Sequence, residues 1–380
     1  NKGGSYIKQI SSKKIARFIM SEQFKPTSDF SRISEVDVIL ICVPTPLNKN
    51  QEPDLRFIVS TGELILPYLK LNQLIILEST TYPGTCTEIL KPILEKSGLK
   101  SGEDLFLAYS PEREDPGNPE FETANIPKIV GGDDICARNL ACLIYDQIVV
   151  ETVPVSSMEV AEAVKLTENI FRAVNIAMVN ELKVIYQKMD IDIWEVIKAA
   201  KSKPFGYMPF YPGPGLGGHC IPIDPFYLTY RAKQFGEETK FIELAGKINT
   251  QMPNYVINVL EHSLQSRFNK MIKGAKILII GLAYKKNIDD TRESPAFLLF
   301  DLLKNKGAIV AYFDPFVASI PETREYAEYA GQKSIDWSIK ELKKYDAALI
   351  CTDHDNINYE ELVAKSNLVI DTRNATKSIN

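Results

Sequence analysis

The chain has 380 residues but no CxxC pair, only three histidines and no excess of basic charge. Each shortage closes off a class of function. Lys and Arg total 44 against 49 Asp and Glu, a net charge of −5. The basic surface that phosphate neutralisation requires is therefore missing, and no nucleic-acid partner is expected. His219, His262 and His354 stand far apart and the cysteines lack paired ligand spacing, which argues against structural zinc or any other metal centre. The six cysteines (Cys42, Cys86, Cys136, Cys142, Cys220 and Cys351) lie mostly in apolar or mixed segments, the pattern of reduced thiols in a cytoplasmic protein. No apolar run approaches the roughly 20 residues that span a bilayer, and no secretory leader is visible, so no membrane association is expected. Solenoid repeats and low-complexity tracts are also missing. The first residue is Asn1 rather than Met, and the stretch to Phe24 reads as a polar turn and a short helix, not as the opening of a domain.

What is present is globular material. Hydrophobic residues make up 45% and charged residues 24%, enough at about 150 residues per domain for two or three separate cores. Short, continuously apolar runs mark parallel strands buried on both faces. In the first half these are Val36–Val43, Leu74–Leu77, Leu105–Ala108 and Lys128–Val130, separated by helical patterns at Leu55–Leu69 and Cys86–Lys96. Strands alternating with helices predict a doubly wound α/β sheet. Three polar clusters follow these strands: Pro44-Thr45-Pro46, Glu78-Ser79-Thr80-Thr81 and Ser110-Pro111-Glu112-Arg113-Glu114. The carboxyl ends of parallel strands are where such sheets bind ligands.

The second half repeats the pattern at Lys276–Ile280, Ile309–Phe313, Ala347–Cys351 and Leu368–Ile370. A second sheet over about residues 265–380 follows from it. Between the sheets, Ser156-Ser157-Met158-Glu159 offers a capping box before a helical pattern reaching about Met189. At about 30 residues that helix exceeds the needs of one core, so it is expected to bridge the sheets and to pair with a second subunit. More helix is predicted through Ile191–Ala200 and Phe241–Gln265. The resulting division is 1–155, an incomplete first sheet domain; 156–264, a central helical domain; and 265–380, the second sheet domain.

Gly213-Pro214-Gly215-Leu216-Gly217-Gly218-His219-Cys220 satisfies G-x-G-x-x-G in letters only. A dinucleotide fingerprint needs a strand before it and a helix after it, whereas Pro204, Pro209, Pro212 and Pro214 precede and Pro222 and Pro225 follow. The better reading is a rigid glycine loop that lets a substrate lie against backbone amides, with a thiol at its end. A free thiol ionises near 8.5, and a nearby cation or base would raise its thiolate fraction. Asp224 comes four residues later. Lys165 and Asn169, one helical turn apart, share a face and could donate hydrogen bonds to an oxyanion without a metal. Lys285 to Pro295 is a charged loop directly after a buried strand, where cations can meet phosphate.

Together these motifs resemble the UDP-glucose/GDP-mannose dehydrogenase family over essentially the whole chain. The carrying segments are Cys42–Pro46, Glu78–Gly84, Ser110–Asn118, Lys165 with Asn169, Gly213–Cys220 and Asp289–Pro295. The resemblance implies two Rossmann-like domains, an NAD cofactor, a UDP-sugar substrate and oxidation of its C6 hydroxyl to a carboxylate by two hydride transfers. It assigns Cys220 the covalent role, through a thiohemiacetal and then a thioester, with Lys165, Asn169, Asp224, Thr80 and Glu112 around it. Val43, Pro44, Thr45, Ser79, Thr80 and Arg292 would border the cofactor. Glu112, Arg113, Lys165, Asn169, Phe210, Tyr211, Gly215 and Lys285 would border the substrate. UDP-glucose dehydrogenases carry a second glutamate where this chain has Pro116, and the run from Pro111 to Asn118 looks like the branch acting on UDP-N-acetylhexosamines. UDP-N-acetyl-D-glucosamine is the favoured substrate, with UDP-N-acetylmannosamine and UDP-glucose as alternatives, in polysaccharide biosynthesis. Family members open with a strand, a Gly-rich turn, a helix and a second strand ending in an acid. None of these precedes Asn1, so the first sheet is expected to lack its opening strands, and an inactive nucleotide-sugar-binding relative is the competing reading. A cysteine hydrolase is a more distant one.

Overall fold

The computed structural model describes residues 4–5, 10–48, 50–115, 118, 120–218, 221–322 and 326–379, which form two compact units, 1–167 and 168–380. Helix α1 (Ser12–Met20) is capped by Ser11, whose side chain accepts from the Lys14 amide. The first sheet follows: β1 (Val38–Ile41), α2 (Arg56–Ile65), β2 (Leu74–Leu77), a π-helical turn at Cys86–Leu90 running into α3 (Lys91–Leu94), β3 (Phe106–Tyr109), β4 (Lys128–Gly132), α4 (Ile135–Tyr145) and β5 (Thr152–Pro154). Strand order is β1-β2-β3-β4-β5. Ile75 and Leu77 pack with Ile58 and Leu90 on one face, while Leu74 and Ile76 pack with Ala141 and Tyr145 on the other. That two-sided cover is why β2 reads as an unbroken apolar run, and each of its four side chains contributes about 2 kcal/mol by leaving water. All pairings are parallel except β3 with β4, which run antiparallel with Ala108 opposite Gly132 and Tyr109 opposite Gly131. Apolar runs carry no strand direction, so this reversal was not visible in the sequence.

Helix α5 (Met158–Lys188) is 31 residues long, and the boundary between units falls within it. Its start lies one residue beyond the predicted capping box: Ser157 rather than Ser156 caps it, its Oγ accepting from the Val160 amide, and Glu159 accepts from the Thr87 hydroxyl instead. In the second unit come α6 (Ile193–Ala200), α7 (Asp224–Gln234) and α8 (Lys240–Phe268). The second sheet then assembles from β6 (Lys276–Ile280), α9 (Pro295–Asn305), β7 (Ile309–Phe313), α10 (Ile339–Leu342), β8 (Ala347–Ile350), α11 (Tyr359–Lys365) and β9 (Val369–Asp371). Its strands are all parallel in the order β7-β6-β8-β9. The chain passes from β6 to β7 on one side and then crosses back to β8 on the other, so the carboxyl ends of β6 and β8 flank a topological switch point. Gly281 occupies the β6 end with φ +83°, and a β-carbon there would lie 2.3 Å from the Thr352 carbonyl oxygen, so only glycine allows the two strand ends to meet.

Candidate active site

At the carboxyl ends of β1 and β2, Ser79 ties two loops together. Its Oγ accepts from the Val43 amide at 2.8 Å and donates to the Val43 carbonyl at 2.7 Å. Thr45 is buried, Val43 half-buried and Pro44 exposed, which leaves an apolar ledge on a fixed backbone. Beside it lies a polar network. Lys128, only 7% exposed along its side chain, reaches Glu78 at 3.3 Å and Glu112 at 3.5 Å. Tyr145 donates to Glu78, and its ring lies under the Lys128 ammonium. Cys42 Sγ donates to the same Glu78 carboxylate at 3.3 Å; burial and that negative charge push its thiol up to about 12, so it stays protonated. Glu112 Oε1 accepts from the Arg113 and Glu114 amides, Arg113 donates to the Pro127 carbonyl, and Glu114 accepts from Thr123.

The loop from Thr81 to Cys86 is pinned by a buried acid on α5. Glu162 accepts from the Gly84 amide at 2.6 Å, the Cys86 amide at 3.0 Å and the Thr81 hydroxyl at 3.3 Å. Burial dominates its ionisation, partly opposed by those amides, and its carboxyl rises to about 7. Lys165, one turn on, is buried as well, and Thr80 is partly buried in the loop that Glu162 holds.

In the second unit, Asn169 Nδ2 donates to Asp224 Oδ2 at 2.5 Å, joining α5 to the first residue of α7. Pro225 sits in the first turn of that helix, where a missing N–H costs nothing, so the prolines read in the sequence as loop punctuation also start a helix. The glycine loop before it is irregular from Gly213 to Gly218 with no strand ahead, so the dinucleotide-fingerprint reading stays rejected. An amide ladder fixes its beginning: the Gly213 N–H donates to Asn180 Oδ1, Asn180 Nδ2 to Asn249 Oδ1, and Asn249 Nδ2 to the Ala173 carbonyl. Its end presses on the loop after β6. A β-carbon at Gly218 (φ +81°) would lie 2.9 Å from the Tyr284 ring. Phe210 meets Phe171 edge-on and Tyr211 stacks on Trp194, fixing the approach to the loop. Gly215 packs against Pro253 and Pro295.

The switch point of the second sheet carries Lys285, which is partly buried, and Arg292, which pairs with Asp290. Asp314 and His354 hold this loop. Asp314 accepts from the Leu282 and Ala283 amides on one oxygen and from Phe316 and Val317 on the other. His354 Nδ1 accepts from the Asn287 amide, which leaves the proton on Nε2, 3.0 Å from Asp314. Burial alone would raise Asp314, but the hydrogen bonds from His354, Ala283 and Phe316 outweigh it and keep the carboxyl below its ordinary value. Arg373 donates to the Cys351 carbonyl and lies against Gly213.

Three models of one family match the chain in succession: the UDP-glucose/GDP-mannose dehydrogenase family NAD binding domain over residues 1–149, central domain over 159–251 and UDP binding domain over 278–378. The chain belongs to the UDP-glucose/GDP-mannose dehydrogenase family. It is similar to UDP-N-acetyl-D-glucosamine 6-dehydrogenase of Pseudomonas aeruginosa, 37% identical over 302 residues (79% of this chain, 71% of that protein). It is also similar to Protein CapL of Staphylococcus aureus, 35% identical over 93% of this chain and 82% of that one. Among solved structures, UDP-D-ManNAc dehydrogenase from Pyrococcus horikoshii superposes with a TM-score of 0.87 at 32% identity, covering 99% of this chain and 88% of that one.

As a member of this family the chain is an NAD-dependent oxidoreductase acting on a UDP-sugar. The crevice on the first sheet fits the cofactor: parallel strand ends, a backbone locked by Ser79 and the apolar ledge of Val43 and Pro44 suit a dinucleotide. Among the described residues no group of His, Cys, Asp and Glu could hold a metal, and no helix is long and apolar enough to cross a membrane. Of the residues singled out by sequence, Cys220 and its neighbour His219 lie outside the described residues, as does Pro116. Asn169 and Asp224 meet directly, and Glu112 and Arg113 stand at the end of β3. Glu78 was read only as part of a polar cluster, and Lys128, Tyr145, Glu162, Tyr284, His354 and Arg373 were given no role at a site. A lysine opening the apolar run Lys128–Val130 was the one signal available for that network.

Proposed function

We propose that the chain oxidises the C6 hydroxyl of a UDP-N-acetylhexosamine, UDP-N-acetyl-D-glucosamine first, to the uronate. When bound, NAD would supply the hydride acceptor for C6 in each of two rounds. Between them, Cys220 adds to the C6 aldehyde as a thiohemiacetal; the second round leaves a thioester, and water releases the carboxylate and the thiolate. The observation that carries this chemistry is the Asn169–Asp224 hydrogen bond, which sets an amide and a carboxylate at the start of α7, four residues after Cys220. Asn169 and Lys165 stabilise the oxyanion, Asp224 and Thr80 orient the water, and Glu112 takes its proton. Val43, Pro44, Thr45, Ser79, Thr80 and Arg292 border the cofactor. Arg113, Phe210, Tyr211, Gly215 and Lys285 border the sugar nucleotide.

Relatives named for UDP-N-acetyl-D-glucosamine and for UDP-N-acetyl-D-mannosamine support the N-acetylhexosamine class, and placing the first ahead rests on the resemblance carried by the run from Pro111 to Asn118. The proposed division is an NAD-binding part to residue 155, a central helical part to 264 and a UDP-sugar-binding part beyond, with α5 forming a homodimer in the cytoplasm. The test is NADH formation with UDP-N-acetyl-D-glucosamine, UDP-N-acetyl-D-mannosamine and UDP-glucose. Two NADH per uronate with the first, and none from Cys220→Ser, is the expected result. Faster turnover of either other sugar would reassign the substrate, and uronate from the serine variant would remove the covalent step.

A further inference from the structure

Lys128 is the buried cation of the first unit that touches two carboxylates at the mouth of the sheet. Its place follows from the one antiparallel pair. The register sets 108 opposite 132 and 109 opposite 131, and continuing it places 128 opposite 112. A parallel β4 would begin at the far end of the sheet; running backwards, it begins where β3 ends. The ammonium then has a restricted set of neighbours. Glu78 lies on one side, held also by the Tyr145 hydroxyl and the Cys42 thiol. Glu112 Oε2 lies on the other, with the Pro111 carbonyl at 3.5 Å and the Tyr145 ring beneath. Among the described residues, Glu112 is otherwise held through Oε1, by the amides of the next two residues. It is about half exposed, so without the ammonium its free oxygen would turn to solvent.

We propose that Lys128 is a positioning residue for the acid–base step: it fixes Oε2 of Glu112 at the carboxyl end of β3, with Glu78 and Tyr145 anchoring the lysine in turn. This rests on the reading of Glu112 as the base for thioester hydrolysis, and it predicts a defect confined to that step. In Lys128→Met, the first two NADH per active site should form at a rate within about threefold of the parent enzyme. Steady-state kcat should fall about 30- to 100-fold, at or just below the lower end of the roughly 100- to 10,000-fold that a general base contributes, as suits a residue that positions the base. The UDP-sugar thioester on Cys220 should accumulate and be seen as added mass on the intact protein. Lys128→Arg should restore most of kcat, and Glu112→Gln should show the same accumulation. The double variant Lys128→Met with Glu112→Gln should be no slower than Glu112→Gln alone, since residues acting as one unit do not add. If Lys128→Met lowers the melting temperature too far for assay, Lys128→Gln is read in the same way. A Glu112→Gln enzyme with normal kcat would overturn the reading of the base. A slow, acyl-accumulating Glu112→Gln enzyme beside a normal Lys128→Met or Lys128→Gln enzyme would overturn the role of Lys128 alone. Equal loss of burst and steady-state rates that arginine fails to restore would also overturn it, because that is the signature of a general structural defect.

Discussion

Glu162 in the first unit and Asp314 in the second do the same mechanical job with opposite ionisation. Both are buried and both pin a loop that lines a crevice by accepting its backbone amides. Glu162 has two amides and a threonine hydroxyl, and burial wins, lifting its carboxyl to about 7. Asp314 has four amides and the His354 imidazole, and the donors win, holding it below 3.8. The comparison teaches that burial and donors pull a carboxyl in opposite directions: the acid with fewer donors and Glu159 nearby rises, and the acid with more donors and the His354 imidazole falls. One crevice is therefore held by an acid that titrates near neutrality, the other by an acid that stays charged.

The largest effect should come from Asp314→Ala. It strands several buried N–H groups at once, and a loss of about 4 kcal/mol from the second sheet is expected in urea denaturation. A loss below about 1 kcal/mol would mean that water replaces the carboxylate. Next is the pH dependence of the first unit. Because the folded value of Glu162 lies above its ordinary 4.5, its contribution is complete below 4.5 and is lost as pH rises through about 7. That amounts to about 3 kcal/mol between pH 5 and pH 8. Glu162→Gln, an isostere of the protonated acid, should flatten this part of the profile; an unchanged slope would show that Glu162 is not its source. The smallest effect is His354→Gln, expected to cost about 1 kcal/mol at pH 7. Asp314 contributes stability above 3.8 that is lost as pH falls through its depressed value. With one donor fewer that loss should begin at a higher pH, moving Asp314 toward the behaviour of Glu162. An acid limb that does not move would show that the four amides suffice.

The strands of both sheets other than β5, and the long helix, were legible because apolar spacing reports burial; β5 is short and only partly buried, and went unread. The polar machinery was legible only where a motif carried it, as at Ser79, Asn169 and Asp224. Glu162 was not, since a glutamate on a long helix reads as solvated until Gly84 and Cys86 are seen to donate to it. Lys128 was hidden for another reason. Its partners Glu78 and Glu112 lie just after β2 and β3, and pairing with Glu112 depends on a strand reversal that periodicity does not encode. Helix α7 went unread because Pro222 and Pro225 looked like breakers.

The amide ladder from Gly213 through Asn180 and Asn249 to Ala173 contains no group that gains or loses a proton between acid and alkali. In the proposed reaction a thiol at the end of that loop attacks as its anion, and the pH that produces the anion leaves the anchorage of the loop's beginning unchanged. Nucleophile strength and loop geometry are thereby separate variables: alkalinity can sharpen the first without loosening the second, while the Thr81–Cys86 loop held by Glu162 responds to the same change.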